Sequence, residues 1–251
     1  MASPTINSEA TPFWNTNIPP AQHTNTCPDY LSYAVENKKD REILSTLDND
    51  YTLQTWPQVR DIVATNRIDL FQRVPSDLRR YRQFTHSLKA KHGSIMEYVL
   101  CERLKWDDHD DEEGRRASGK GLFAEQSDWK FLQNDWPYGL DKRIVHLVCW
   151  TKFTIPEDEE TADLSSETRR VIDGFVERTF VKSARGFGEA GDEGLAKENV
   201  IWFRNWRGLK SIRAVEHIHV LLFEPEEAFV ERVTGGDVPT WVRIRDGELK
   251  V

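Results

Sequence analysis

The chain has 251 residues, 38% hydrophobic and 11% aromatic, with 9 Trp and 12 Phe, which is enough for one sizeable core. Its formal net charge of −8 argues against a protein that coats nucleic acid nonspecifically, while leaving room for a local basic patch. No apolar run approaches the ~20 residues needed to span a bilayer. The N-terminus has neither a signal-peptide core nor an Arg-rich transit pattern. Cys27, Cys101 and Cys149 show no paired or metal-type spacing, as expected of buried thiols in a reducing compartment. The expected location is cytoplasmic.

Residues 1–28, rich in Thr, Asn, Pro and Ser without periodicity, read as a flexible arm ahead of a single domain over 29–251. Helical patterns follow around 38–47 and 56–65. A third helix starts at Val74-Pro75-Ser76-Asp77, with Ser76 as the expected cap, and runs to Gly93. Ser94 and Glu97 form a capping-box pattern for the next helix. After an acidic loop at 107–113, alternation over 143–154 predicts a strand. It places Val145, Leu147, Cys149 and Phe153 on one face, with His146, Val148, Trp150 and Lys152 on the other. A helix over 166–181, a glycine-rich loop over 184–197, and strands over 199–206 and 214–223 come next. The second of these strands carries His217, His219, Leu221 and Phe223 on one face. A short helix near 225–233 and a hairpin turning at Asp246-Gly247 close the chain. Helices lead and strands dominate later, so the fold class is α+β: N-terminal helices packed on a mostly antiparallel sheet.

Two dense polar-aromatic stretches, Phe131–Trp150 and Trp202–Phe223, look like two halves of one pocket. His217 and His219, two residues apart on a strand, suit a metal pair, an acid–base or hydrogen-bonding role, or a structural role, and no third metal ligand has convincing spacing. His146 shares a sheet face with Trp150 and Lys152, an unusual set for plain core. Asn134, Asp135 and Tyr138 either build a turn or form a pocket wall. Among Trp136, Tyr138 and Phe131 a carboxylate would be partly desolvated and would want a cationic partner or ligand. Asn205, Trp206, Arg207, Lys210, Ser211 and Arg213 read as a surface loop or as an element that grips an anion or an RNA end. Arg79 to Lys91 is a basic helix face of the kind that is commonly just solvated. Walker, dinucleotide-binding, nucleophile-elbow and zinc-type cysteine motifs are absent.

The segments NDWPYGLDKRIVHLVCWTK and WFRNWRGLKSIRAVEHIHVLL resemble a fungal domain-of-unknown-function family best known for the N-acetylglucosamine-induced protein. The stretch with Arg73, Pro75, Ser76, Asp77, Tyr81 and Gly93-Ser94, followed by Arg103-Leu104-Lys105-Trp106, resembles its N-terminal half. The resemblance covers roughly 50–225. That family includes fungal arginine-containing cyclodipeptide synthases, so the resemblance implies an aminoacyltransferase joining arginine from arginyl-tRNA with a second amino acid from its aminoacyl-tRNA. No cofactor or metal is needed, because the aminoacyl ester is already activated.

In that reading His146, His217 and His219 are acid–base candidates. Asp135 is the first candidate for the arginine guanidinium, ahead of Glu216 and Asp141. Asn205, Lys152 and Lys210 would serve as oxyanion or phosphate donors, and Trp136, Trp150 and Trp206 would shape the pocket with Asn134 and Tyr138. Arg79, Arg80, Lys89, Lys91, Arg204, Arg207, Lys210 and Arg213 would meet the tRNA acceptor ends, with an aminoacyl-tRNA synthetase as a further contact. Bacterial cyclodipeptide synthases hold the first aminoacyl group on a serine. Their signature is not visible here, and Ser211 and Ser94 are the serines in suggestive settings. The rival readings are a non-catalytic regulatory or sugar- or nucleotide-sugar-binding protein, and a metal-dependent hydrolase using His217 and His219.

Overall fold

Two eight-residue strands whose inward and outward positions are both mainly apolar form the middle of the molecule. A strand covered on both faces has no side left to give to water. In the computed structural model, which describes residues 11–106, 116–158, 163–181, 195–206 and 215–249, four strands are formed: β1 (Trp129–Gln133), β2 (Ile144–Thr151), β3 (Val200–Phe203) and β4 (Glu216–Phe223). They pair antiparallel in the order β1-β2-β4-β3. The register sets Val148 opposite His219 and Trp150 opposite His217, and Phe203 also opposite His219. The three strand histidines therefore share one face: alternation within each strand groups His217 with His219, and the register adds His146.

That face is covered by the N-terminal half. Helices α1 (Lys38–Ser45), α2 (Trp56–Ala64), α3 (Pro75–His92) and α4 (Ile95–Tyr98, continued by a wide turn to Leu104) precede the sheet in the chain. Phe84 and Leu88 of α3 and Tyr98 of α4 pack on Leu132, Val148 and Trp150. Trp56, Val59 and Ile62 of α2 pack on Ile144, Phe203 and Leu221. The other face takes α5 (Ser166–Val176, extended by a wide turn to Val181) and α6 (Glu227–Thr234), whose Ile172, Phe175, Phe180, Phe229 and Val230 meet Phe131, Leu147, Cys149, Ile218 and Val220. The architecture is α+β, a single antiparallel sheet between two helical layers.

Three expectations are corrected. The arm predicted over 1–28 is docked from Phe13 onward: Phe13, Asn15 and Thr16 are buried, and Phe13 joins Leu31, Ile43, Leu44 and Leu78 in a small core. Residues 1–10 lie outside the described residues. Ser76 does not cap α3; Val74 holds that place and the Ser76 N–H donates to Asp48 Oδ1 at 3.0 Å. The C-terminal hairpin is a helix, α7 (Thr240–Arg245). Gly247, at φ 79°, lets the Glu248 N–H return to Arg243 O at 2.8 Å, so the Asp-Gly pair ends a helix instead of joining strands.

The loop from β1 to β2 is tied to the helical half by backbone bonds. Gly139 N–H donates to Gln72 O (2.8 Å), Gln54 N–H to Gly139 O (3.0 Å) and Asp141 N–H to Gln54 O (2.9 Å). A Cβ on Gly139 would come within 2.7 Å of Cε1, Oη and Cζ of Tyr51. Gly139→Ala is accordingly expected to cost about 1–3 kcal/mol, read as a lowered urea midpoint; an unchanged midpoint would mean Tyr51 moves aside freely.

Candidate functional site

Beneath α3 and α4 the histidine face of the sheet bounds a cavity of about 120 Å³. Six aromatic rings line it, Tyr81, Phe84, Tyr98, Trp136, Tyr138 and Trp150. Polar and charged side chains reach it as well, and the principal ones fall into three sets.

The first group is a chain of side chains crossing the sheet. Asn205 Nδ2 lies 3.0 Å from His219 Nε2, and His219 Nδ1 lies 2.9 Å from His146 Nε2. Asn134 Nδ2 is 3.2 and 3.1 Å from the two nitrogens of His146, a near-equality that puts the amide over the ring face and not on a lone pair. Asn134 is held there by accepting the Trp136 N–H on Oδ1 at 3.0 Å. With Asn205 Nδ2 assigned as donor, His219 Nε2 accepts, so His219 Nδ1–H donates to His146 Nε2. Burial, with Arg73 adding to it, lowers His146 to about 3. Burial first, then the neighbouring histidines and Arg73, puts His219 well below its ordinary value. Both rings are neutral near pH 7. They orient groups; they are poor cations.

His217 is set differently. Its Nδ1 lies 3.0 Å from Val215 O, and a carbonyl accepts only, so Nδ1 carries a proton. The ring packs tilted against Trp150, with centroids 4.5 Å apart, and lines the cavity.

At the β1 edge Arg103 stands between two carboxylates. Its Nε meets Asp135 at 3.0 Å, while Nη1 and Nη2 hold Asp237 at 2.7 and 2.9 Å. Asp135 also accepts the Thr240 N–H at 2.7 Å. Two carboxylates against one guanidinium leave one formal negative charge. Asp135 is the more open of the pair, its side chain 21% exposed against 9% for Asp237, and it is the one that lines the cavity. Burial pushes Asp135 above the ordinary carboxylate value, with Arg103 opposing the shift. The cationic partner expected for a desolvated Asp135 is thus internal.

The cavity gathers His217, His219, Asn134, Asp135, Trp136, Tyr138, Trp150 and Asn205 of the predicted set. His146 sits one link behind it, bonded to His219. Other candidates lie elsewhere. Asp141 pairs with Arg143 at 2.8 Å, which takes its carboxyl down to about 2. Glu216 points to the opposite sheet face and holds Arg204 at 3.0 Å, with Glu157 on the same guanidinium at 2.6 Å, so Arg204 is an internal ion-pair member and not a tRNA contact. Lys152 rests over the Trp106 ring at 5.3 Å. Trp206 is 39% exposed and donates to Asn66 Oδ1, away from the cavity. Arg79 is buried and donates to Trp14 O at 2.5 Å, anchoring the N-terminal segment; it too is unavailable to tRNA. Arg80, Lys89 and Lys91 are exposed on α3, Arg80 pairing with Asp77 at 2.6 Å. Arg207, Lys210, Ser211 and Arg213 lie outside the described residues. Ser94 accepts the Glu97 N–H at the start of α4, a capping role. For the metal reading, both His219 nitrogens are engaged by His146 and Asn205, and no group of three or more His, Cys, Asp or Glu among the described residues is arranged to hold an ion.

Residue-by-residue reading of the sequence missed Arg73, Arg103 and Asp237. An arginine in the apolar stripe that follows Tyr98-Val99-Leu100 was a usable signal, since arginine is almost never fully buried unless paired. Asp237, 134 residues further along, carried none.

The family described as Protein of unknown function (DUF3605) matches residues 55–223, which takes in the cavity walls contributed by α3, α4 and strands β1, β2 and β4. The chain belongs to that family. N-acetylglucosamine-induced protein 1 of Candida albicans is 28% identical over 195 residues, covering 72% of this chain and 73% of that protein. An uncharacterized Saccharomyces cerevisiae protein is 25% identical over 174 residues, covering 69% of this chain and 81% of its own. The crystal structure of HTC1 superposes with a TM-score of 0.51 at 23% identity, covering 77% of this chain and 94% of the other, a likeness of fold. No described helix is long and apolar enough to cross a membrane.

Proposed function

We propose that this DUF3605 protein is an arginine-containing cyclodipeptide synthase that draws both amino acids from aminoacyl-tRNAs. The observation that carries the reading is the pairing, within one cavity, of a histidine oriented by its Nδ1 contact to Val215 O (His217) and a carboxylate that shares its guanidinium with a second carboxylate (Asp135). A space of about 120 Å³ compares with the ~150 Å³ cavities that take one benzene ring. It suits a side chain.

In the reaction His217 Nε2 takes a proton from the α-amine of one aminoacyl group as that nitrogen attacks the ester carbonyl of the other. The peptide C–N bond forms, the ester C–O bond breaks, and the proton passes to the departing ribose oxygen. The second amine then attacks the remaining ester, closing the ring and releasing the second tRNA. Asp135 holds the arginine guanidinium among the rings of Trp136, Tyr98 and Trp150, which offer cation–π faces. The exposed Lys89 and Lys91 on α3 lie outside the cavity and suit a polyanionic acceptor stem.

Expression in a heterologous host should place a new cyclic dipeptide containing arginine in the medium, detectable by mass spectrometry. Asp135→Asn should remove arginine-containing products at least ten-fold while leaving soluble protein, because Asp237 keeps its two-point grip on Arg103. Soluble wild-type protein with no such ion would move the reading to a binding or regulatory protein.

A further inference from the structure

The Asn205 side chain is 6% exposed, and its Nδ2 is used on His219. Its Oδ1 is buried without a hydrogen-bond partner among the described residues. Such an acceptor costs stability unless a ligand or water fills it. Arg73 supplies the complement. Its Nε donates to Trp136 O at 3.0 Å and its guanidinium carbon lies over the Tyr81 ring, 4.3 Å from the centroid, with the Tyr138 centroid at 5.4 Å. These contacts fix the plane of the fork but use one donor. The terminal Nη atoms meet no protein acceptor among the described residues, and both Arg73 and Asn205 line the cavity. A fixed two-nitrogen donor and an orphaned buried acceptor in one cavity match a ligand that carries an oxygen pair next to an N–H.

We propose that Arg73 and Asn205 form a head-group subsite for the α-amino ester of the arginyl substrate. The Arg73 Nη pair receives the ester oxygens and Asn205 Oδ1 accepts the α-amine N–H. The His219–His146 chain serves to keep the Asn205 amide turned this way. Asn205 then acts as an acceptor that aims the amine, in place of the oxyanion donor expected from the sequence. This assignment rests on reading the cavity as the arginyl site, with Asp135 taking the far end of the same substrate.

The test is calorimetric binding of two probes: arginine methyl ester, which carries the whole head group, and agmatine, which keeps the amine and guanidinium but lacks the ester. Arg73→Gln is expected to weaken arginine methyl ester at least ten-fold and leave agmatine within two-fold. Asn205→Ala is expected to weaken both. Arg73→Lys keeps the charge over Tyr81 but loses the fork, and should resemble Arg73→Gln if that variant folds poorly. Equal losses for ester and agmatine in both Arg73 variants, or no loss, would overturn the subsite. Cyclic dipeptide production by wild-type protein that shows no binding of the ester would overturn it while sparing the proposed activity. The expected binding pattern without any dipeptide product would uphold the subsite and reject the synthase.

Discussion

Replacing Arg103 with methionine should lower stability by about 3–5 kcal/mol, the range for stripping one partner from a buried ion pair. For a domain of this size that is a fall in Tm of roughly 10 °C. Arg103 is 5% exposed at the side chain and joins three separate parts of the chain. Asp135 lies after β1, Asp237 and Val238 lie before α7, and Arg103 itself closes α4. Asp237 also accepts the Gln133 N–H at 2.9 Å, so the ion cluster sets where the last strand residue of β1 ends. Without the guanidinium two carboxylates face each other in a low-dielectric corner, and one must take up a proton or the corner must open to water. Asp135→Asn leaves the two bonds from Arg103 to Asp237 intact and should cost about 1–2 kcal/mol. Urea unfolding of the two variants beside wild type separates these cases. A loss under 1 kcal/mol for Arg103→Met would class the cluster with solvated surface pairs, whose median worth is about 0–1 kcal/mol, and would remove the argument that its surplus charge is available to a substrate.

The parts of this fold that the sequence makes legible are those written in local periodicity. Alternation sets His217 with His219 on one face of β4 and His146 with Trp150 on one face of β2, because side chains in a strand have a period of two; only the register of the two strands brings the three together. The turn Asn134–Gly139 was recognisable as rigid from its Trp-Pro-Tyr-Gly content. Charge assignments fared differently, since they depend on partners distant in sequence. Arg79 and Arg204 read as a basic surface. Both are consumed internally, Arg79 by backbone carbonyls of the docked N-terminal segment and Arg204 by Glu157 and Glu216. Asp135 read as a substrate carboxylate while its first partner, Arg103, lay 32 residues upstream. Residues 11–28 looked disordered because Thr, Asn and Pro lack periodicity. They dock through single anchors such as Phe13, which no window average reveals. The Asp246-Gly247 pair is a strong hairpin signal only between strands; after a helical turn the same Gly serves as a C-terminal cap.

Stability should fall steeply as the pH drops below about 6.5, and the cause lies in the same histidine face. An unfolded histidine titrates near 6.5. In the fold His146 is held near 3, by burial first and the Arg73 charge second. His219 is held well below its ordinary value by burial and by its histidine neighbours. For a base whose folded pKa is depressed, both states are neutral above the unfolded pKa, so stability is flat and full there. Below it the unfolded chain binds protons that the fold refuses, so stability is lost as pH falls toward the folded pKa. Each such histidine contributes a slope that grows to about 1.4 kcal/mol per pH unit below the unfolded pKa, so the pair should remove roughly 3 kcal/mol between pH 6.5 and 5. Urea unfolding at pH 7.5, 6.5, 5.75 and 5 measures this directly, and His219→Gln, which keeps hydrogen-bonding capacity without titrating, should roughly halve the slope. Equal stability at pH 7.5 and 5 would mean that both rings take up protons in the fold, and the assignment of donors along Asn205, His219 and His146 would fall with it. The neutrality that makes the pair acid-sensitive also limits its chemistry. A ring that resists a proton in this way is a poor proton carrier, so in the proposed reaction His146 and His219 would serve by pointing Asn205, and the proton transfer is assigned to His217, whose Nδ1 is committed to Val215 O and whose ring lines the cavity.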